Sequence, residues 1–422
     1  MQDVYDIELK NIPDTKIVTI DTKSKEQKQA ILSSDVAVKS SKGFIAKTLD
    51  RVKKGQSVIV ISKENDYTRI RTNNGKLGYV KTDKLTNEFT VRENMDEEKQ
   101  INNKVNLVWD YYSTFASAPN RSGEKIEGIN VVSPAFLYLD NEGILRTNIG
   151  EEGKKYIEWA HNQGYKVWPL VSNAEVASKS LSITSNVMNS YENRQKLIER
   201  IVNACIKYNL DGVNIDFENM KEEDKDMYSR FIIELTPRLK EMGLVTSVDV
   251  TAPDGGETWS MCFDRNVIGN VADYIIFMAY DEYGSSSDKA GTTAGYDWIK
   301  LNLKKFVQTE EIKPEKIILG IPLYTRVWTT DSNEKVTNKS IAMKNIDNTI
   351  PSGVEKKWDD ELKQNYVEYT ESGNKKQIWI EDLKSLKEKV LLVKENELGG
   401  VASWQKDMET EEVWNMIKEN LE

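Results

Sequence analysis

Histidine occurs once in the 422 residues, at His161, and cysteine twice, at Cys205 and Cys262, far apart and without metal-ligand spacing. So few of these side chains exclude zinc sites, haem attachment and Ser-His or Cys-His nucleophilic arrangements. No structural disulfide is expected: Cys205, in the helix-like "LIERIVNACIKY", reads as a small buried apolar residue, and the residues around Cys262 give no direction. Long apolar runs are also missing. The longest, such as "YIIFMAY" and "KIILGIPLY", fall well short of the roughly 18 residues that span a bilayer. Nor does one sign of charge dominate a region: 58 basic and 68 acidic residues are interspersed, for a net charge of -10, so neither nucleic acid nor an anionic membrane is an expected partner. The start, "MQDVYDIELK", shows no basic region leading into an apolar one; a removed signal or anchor and none at all both fit it.

What is present is enough chain for a large domain and a small one. Residues 1–32, with one strand candidate in "TKIVTI", form a leader or the remnant of an upstream segment. Residues 33–88 carry short β-rich runs between turn signals, which predicts a small all-β barrel of about five strands. Within it "KKGQSVIVI", "DYTRIRT" and "GKLGYV" resemble the bacterial Src-homology-3-like module. The resemblance implies either a cell-wall ligand or a spacer packed on its neighbour. Tyr67 and Tyr79 would line a groove in the first case and fill a small core in the second.

From residue 100 to 422 strand and helix patterns alternate. Apolar runs at "VNLVWDYY", "GINVVSPAFLYL", "YKVWPLVSN", "DGVNIDFE", "GLVTSVDVTA", "ADYIIFMAY", "EKIILGIPLYT" and "GGVASW" are separated by helical stretches such as "GKKYIEWAHNQG" and "KDMYSRFIIELTPRLKEMG". Eight strands, each followed by a helix, predict an α/β (β/α)8 TIM barrel. The long connection between the seventh and eighth strands contains strand-like "NYVEYTE" and "KKQIWIED", predicting an inserted α+β lobe at about 329–385.

The fourth of these strands carries acids. Side chains alternate along a strand, so Val213, Ile215 and Phe217 face one way and Asn214, Asp216 and Glu218 the other. In a parallel barrel the apolar set faces the helices, and Glu218 comes to the C-terminal rim where such barrels do chemistry. Two acids in one pocket push their pKa values apart, leaving one ionised and one able to deliver a proton. A structural polar layer inside the barrel and an exposed edge strand are the competing readings.

"DGVNIDFE" closely resembles the D-G-x-D-x-D-x-E signature of glycoside hydrolase family 18. "MAYD", Met278 to Asp281, is similar to the family's motif on the sixth strand, and "GGVASW" to its eighth-strand ending. The connecting sequences "GIPLYTRVW" and "KQIWIED" are most similar to the spore-cortex and cell-wall branch. The resemblance implies catalysis by the substrate's own 2-acetamido group, an exception to the two-carboxylate scheme. On matching positions it implies Glu218 as acid and later base, Asp216 as partner of the acetamido N–H, and Tyr280 as donor to the acetamido oxygen. Trp404 would floor the pocket. Asp281, Met278, Asn214, Tyr324 and Trp328 complete the expected substrate-binding set. Trp109, Trp168 and Trp259 end strands or begin loops with no sign of whether they face cleft or core.

Asn214 departs from the usual signature, which has aspartate there. Its amide is expected to donate to Asp216, keeping Asp216 ionised and Glu218 protonated to higher pH. The resemblance implies no metal or other cofactor. It implies a retaining glycosidase cutting β-1,4 bonds after N-acetylglucosamine in peptidoglycan or spore cortex, with chitin the alternative and a non-cleaving glycan-binding protein a third reading. An extracellular, wall or spore-envelope location and a monomer are expected.

Overall fold

The computed structural model of the protein describes residues 25–43, 46–73, 75–93, 104–113, 116–253 and 255–421. The strand expected in "TKIVTI" lies outside them. The first unit is a seven-stranded sheet of β1 (Lys25–Leu32), β2 (Val36–Lys39), β3 (Thr48–Val52), β4 (Ser57–Glu64), β5 (Tyr67–Arg71), β6 (Leu77–Lys81) and β7 (Leu85–Glu93), in the order β3-β2-β6-β5-β4-β1-β7. It closes over Ala30, Leu32, Val38, Val52, Val58, Ile70, Val80 and Leu85. β1, which the sequence pattern leaves in the leader, pairs antiparallel with both β4 and β7. Its charged "KEQKQ" hides the strand, whose Ala30 and Leu32 reach the core. Tyr67 and Tyr79 are half-buried and outside that core, and the Lys42 ammonium lies 5.8 Å from the Tyr79 ring centroid.

The second unit is a closed barrel. Its first strand is β8 (Val105–Asp110). The second and third are each broken in two: β9 (Val131–Pro134) with β10 (Leu137–Leu139), which forms a hairpin with β11 (Leu145–Thr147), and β12 (Lys166–Val167) with β13 (Leu170–Ser172). The fourth to sixth are β14 (Gly212–Asp216), β15 (Val245–Val250) and β16 (Tyr274–Met278). β17 (Ile317–Pro322) follows, then the five strands of the lobe, and finally the eighth barrel strand, β23 (Gly400–Trp404). β23 pairs parallel with β17 on one side and β8 on the other, which closes the ring.

Helices clad the barrel: α1 (Gly150–Asn162), α2 (Ala174–Ala177), α3 (Leu181–Asn189), α4 (Tyr191–Tyr208), α5 (Lys225–Lys240), α6 (Arg265–Val271) and α7 (Tyr296–Gln308). In α4 the Ser190 hydroxyl accepts from Asn193 N. Leu197, Ile198, Ile201, Val202 and Cys205 are buried at helical spacing, and Asn209 ends the helix at φ +53°. Among the described residues no helix follows the first barrel strand; the expectation of one after every strand fails there. That connection, rich in Ser, Pro, Gly and Asn, is instead tied down by Arg121.

The inserted lobe is a sheet of β18 (Tyr324–Thr330), β19 (Val336–Ala342), β20 (Lys357–Asp359), β21 (Gln364–Glu371) and β22 (Asn374–Ile380), in the order β19-β18-β22-β21-β20, with α8 (Ile346–Thr349) beside it. It has its own core of Val327, Ile346, Val367, Ile378 and Ile380. The helix between the lobe and the eighth barrel strand, α9 (Leu383–Glu395), begins with a capping box between Asp382 and Ser385. A knot of fully buried charge joins lobe to barrel: Lys389 Nζ donates to Glu381 Oε2 at 2.9 Å, Ser385 to the same oxygen at 2.8 Å, and Gln364 to Glu381 Oε1 at 2.5 Å. The chain ends in α10 (Val413–Leu421). The two units meet through ion pairs of Arg71 with Glu241 and Lys76 with Glu199, on the helical flank of the barrel.

Candidate active site

The alternation read from the fourth strand is the one that forms. Phe217 faces outward, stacked on Tyr228 and Phe231 of α5, and Asn214 and Asp216 turn into the barrel, 0% and 8% exposed. Gly212 opens the strand because a Cβ there would stand 2.6 Å from Val245 O and 2.9 Å from Trp168 Cδ1. Trp168 is thus core, stacked on Tyr274 beneath the site.

Asn214 is held on both ends. Its Oδ1 accepts from Trp109 Nε1 at 2.7 Å and from Ser133 Oγ at 3.2 Å. Its Nδ2 donates at 2.7 Å to Asp249 Oδ1, so the expected donation to Asp216 is replaced by one to the next strand. Asp249, 1% exposed, is an acid of the centre that the sequence reading passed over. The signal was there: Ser247, Asp249 and Thr251 alternate with Val248 and Val250 as the polar residues do in "VNIDFE".

Asp216 Oδ1 is buried and has no hydrogen-bond partner. Burial pushes the Asp216 carboxyl up to about 6, opposed by a hydrogen bond with Glu218. Burial first, then the charges of Asp216 and Asp281, hold Glu218 well above the usual carboxylate range. The ionised and protonated partners that the sequence implies are therefore set mainly by desolvation. Glu218 sits half-buried at the rim. Its backbone is clamped by Asn173 at the end of the third strand, whose Oδ1 accepts from Glu218 N and whose Nδ2 donates to Glu218 O, both at 2.9 Å.

Aromatic rings enclose the space above these acids. Trp109, fully buried, meets Tyr280 edge-on with centroids 6.4 Å apart, and Trp404 at 5.7 Å. Trp404 is half-buried at the rim, and the exposed Tyr111 tilts against it at 5.5 Å. Met278 lies at the end of the sixth strand, 5% exposed. Trp259 is half-buried in the loop after the fifth. Arg121 ties the connection after the first strand to the one after the eighth: it bonds both Asp110 oxygens at 2.9 and 2.8 Å and both Asp407 oxygens at 2.9 and 2.7 Å. Tyr156 adds a bond to Asp110 at 2.9 Å.

Asp281, at φ +58°, accepts from Tyr324 OH at 2.5 Å and from Arg326 at 2.7 Å. Tyr324 thus reaches the site through Asp281, as a residue of β18. Trp328 does not line the cleft: it is fully buried and donates to Gly291 O at 2.7 Å inside the lobe contact. It shares strand parity with Tyr324 but lies four residues further out along β18, past the mouth.

A separate cavity of about 500 Å³ lies between the β10–β11 hairpin and α3 and α4. Its cations are engaged, Lys196 with Glu192 and Arg200 with Leu145 O. Its single acid is Glu142.

Comparison with known proteins speaks to the family and the fold. Residues 108–409 match the family described as Glycosyl hydrolases family 18, and residues 34–86 match the Bacterial SH3 domain. The glycosylase YvbX of Bacillus subtilis, itself uncharacterized, is 28% identical over 64% of this chain and 79% of its own. The Cortical fragment-lytic enzyme of Bacillus anthracis is 23% identical over 60% of this chain and 59% of its own. A chitinase crystal structure from Chromobacterium violaceum superposes with TM-score 0.66 at 24% identity, covering 75% of this chain and 99% of that one, a likeness of fold.

Proposed function

Since the chain belongs to glycosyl hydrolases family 18, and is therefore a glycosidase acting on glycan, we propose that it is a retaining enzyme using the substrate's acetamido group to cut β-1,4 bonds after N-acetylglucosamine. Peptidoglycan, including spore cortex, is the proposed polymer. The observation that carries the reading is Asp216 Oδ1, buried without a partner beside a glutamate that keeps its proton.

An N-acetylglucosamine unit at the floor supplies what that oxygen lacks. Its acetamido N–H donates to Asp216, which turns the acetamido oxygen toward the anomeric carbon. Tyr280, whose ring lies between those of Trp109 and Tyr324, donates to that oxygen. Glu218 protonates the departing glycosidic oxygen as the acetamido oxygen bonds to carbon. The resulting positive ring is stabilised by ionised Asp216. Glu218, now deprotonated, takes a proton from water, which attacks the same carbon from the side the leaving group left; the configuration is retained and the acetamide restored. The Trp404 indole gives the sugar an apolar face to lie on.

The cortical relative and the SH3 match support an envelope-associated protein acting on wall glycan. Among the described residues no helix is long and apolar enough to cross a membrane. Mass spectrometry of products from peptidoglycan, cortex and chitooligosaccharides identifies both the sugar cut and the polymer. Cleavage of a de-N-acetylated glycan at the rate of the parent would rule out the acetamido route, and binding without released reducing ends would replace an enzyme by a lectin.

A further inference from the structure

The Trp109 indole can only donate, so it fixes which end of the Asn214 amide it meets. The nitrogen is left for Asp249. Register makes the acid's place specific: Asn214 pairs with Ser247 and Ile215 with Val248, so the next rung sets Asp216 beside Asp249 on the inner face. A chain of four side chains, Ser133 and Trp109 to Asn214 to Asp249, therefore runs under Asp216 across the first, second, fourth and fifth strands.

We propose that Asp249 is a positioning residue of the catalytic centre, which holds, one strand over and through Asn214, the deep acid that the usual signature places on the fourth strand itself. The inference rests on the glycosidase reading above. The ionisable groups facing Asp249 are Asp216 and Glu218 from the fourth strand, Tyr280 beyond the sixth and Tyr228 of α5. Burial, then the charge of Asp216, holds its carboxyl well above the usual range. In its neutral form Asp249 still accepts from Asn214 Nδ2, so it orients the amide without placing a second negative charge next to Asp216. The strand exchange separates two demands that one aspartate otherwise meets together: fixing the floor, and supplying a proton store.

The test is a cycle of Asn214→Asp, Asp249→Asn and the exchanged pair, each followed by kcat/KM against pH on an N-acetylglucosamine oligomer. Asn214→Asp sets two carboxyls in contact beside a third, so the acid limb moves up by about one pH unit and kcat/KM on that limb falls about tenfold. The exchanged pair, with the original count of acids, recovers most of that loss. Equal profiles for Asn214→Asp and the exchanged pair would overturn the proposal. A second readout needs no turnover: infrared spectra of the chain labelled with 13C-aspartate carry a protonated-carboxyl band at pH 7 that Asp249→Asn removes and Asp216→Asn keeps. A band unaffected by Asp249→Asn, or no such band in the unaltered chain, would equally overturn it. If the unaltered chain cleaves no N-acetylated glycan, the functional reading fails and the infrared result still decides this one.

Discussion

Asn173 and Glu218 are joined twice: the amide of one accepts from and donates to the backbone of the other, each at 2.9 Å. The acid at the tip of the fourth strand is thus aimed by the third. Asn173→Ala removes both bonds and frees the peptide that carries the acid. Because a misplacement of about 1 Å can lower the rate ~100-fold, kcat should fall ~10- to 100-fold with KM much less affected, in steady-state kinetics at unchanged circular dichroism. A loss confined to KM would contradict this.

Glu218→Gln keeps size and removes the transferable proton. Turnover should drop ~100- to 10,000-fold while binding of an N-acetylglucosamine oligomer, measured by calorimetry, persists. Residual turnover above one tenth of the parent would place the acid elsewhere.

The pH dependence follows from Asp216 and Glu218 together. The proposed mechanism requires Asp216 ionised and Glu218 protonated, so kcat/KM should rise as pH passes about 6 and decline at higher pH as Glu218 loses its proton. An acid limb near pH 4, the range of free aspartate, would mean that burial does not govern Asp216.

The same burial predicts a trade between stability and activity. The Asp216 carboxyl titrates near 6 in the folded protein and about 3.9 in the unfolded chain. Between these values the folded state binds more protons, so stability is lost as pH rises through that window and stays lost above it. Asp216→Asn should therefore raise the melting temperature at pH 7, leave it nearly unchanged at pH 4, and abolish turnover. A gain of the same size at both pH values would not fit.

In the lobe, Lys389→Met leaves Glu381 charged, fully buried and without its cation. Breaking such a pair costs about 3–5 kcal/mol, which thermal unfolding should register, and Lys389→Met with Glu381→Gln together should recover a large part of it. A single substitution within 1 kcal/mol of the parent would argue against the knot as a structural joint.

The eight strands of the large barrel, the inserted lobe and the three inward residues of "DGVNIDFE" were legible because parallel barrel strands and their alternation leave strong patterns, whereas the small unit has seven strands where about five were expected. Asp249 was half legible: its alternation with Val248 and Val250 marks a polar inner face, but its bond to Asn214 depends on cross-strand register. Asn173 and Arg121 act through bonds to sequence-distant groups, which no local spacing announces. Trp328 has the parity of a cleft residue and the wrong height, because the barrel ends at Pro322 and the strand that follows belongs to another sheet. β1 was hidden by charge: its polar residues mask a strand that is hydrogen-bonded on both sides and sends Ala30 and Leu32 into the core.

The barrel closes without the lobe, since β17 pairs directly with β23, and the lobe keeps a core of its own. Ring closure therefore does not depend on the lobe, so a change confined to the lobe's outer strands leaves the register of the fourth strand in place, while Tyr324 and Arg326 of β18 remain the lobe's bonds to Asp281.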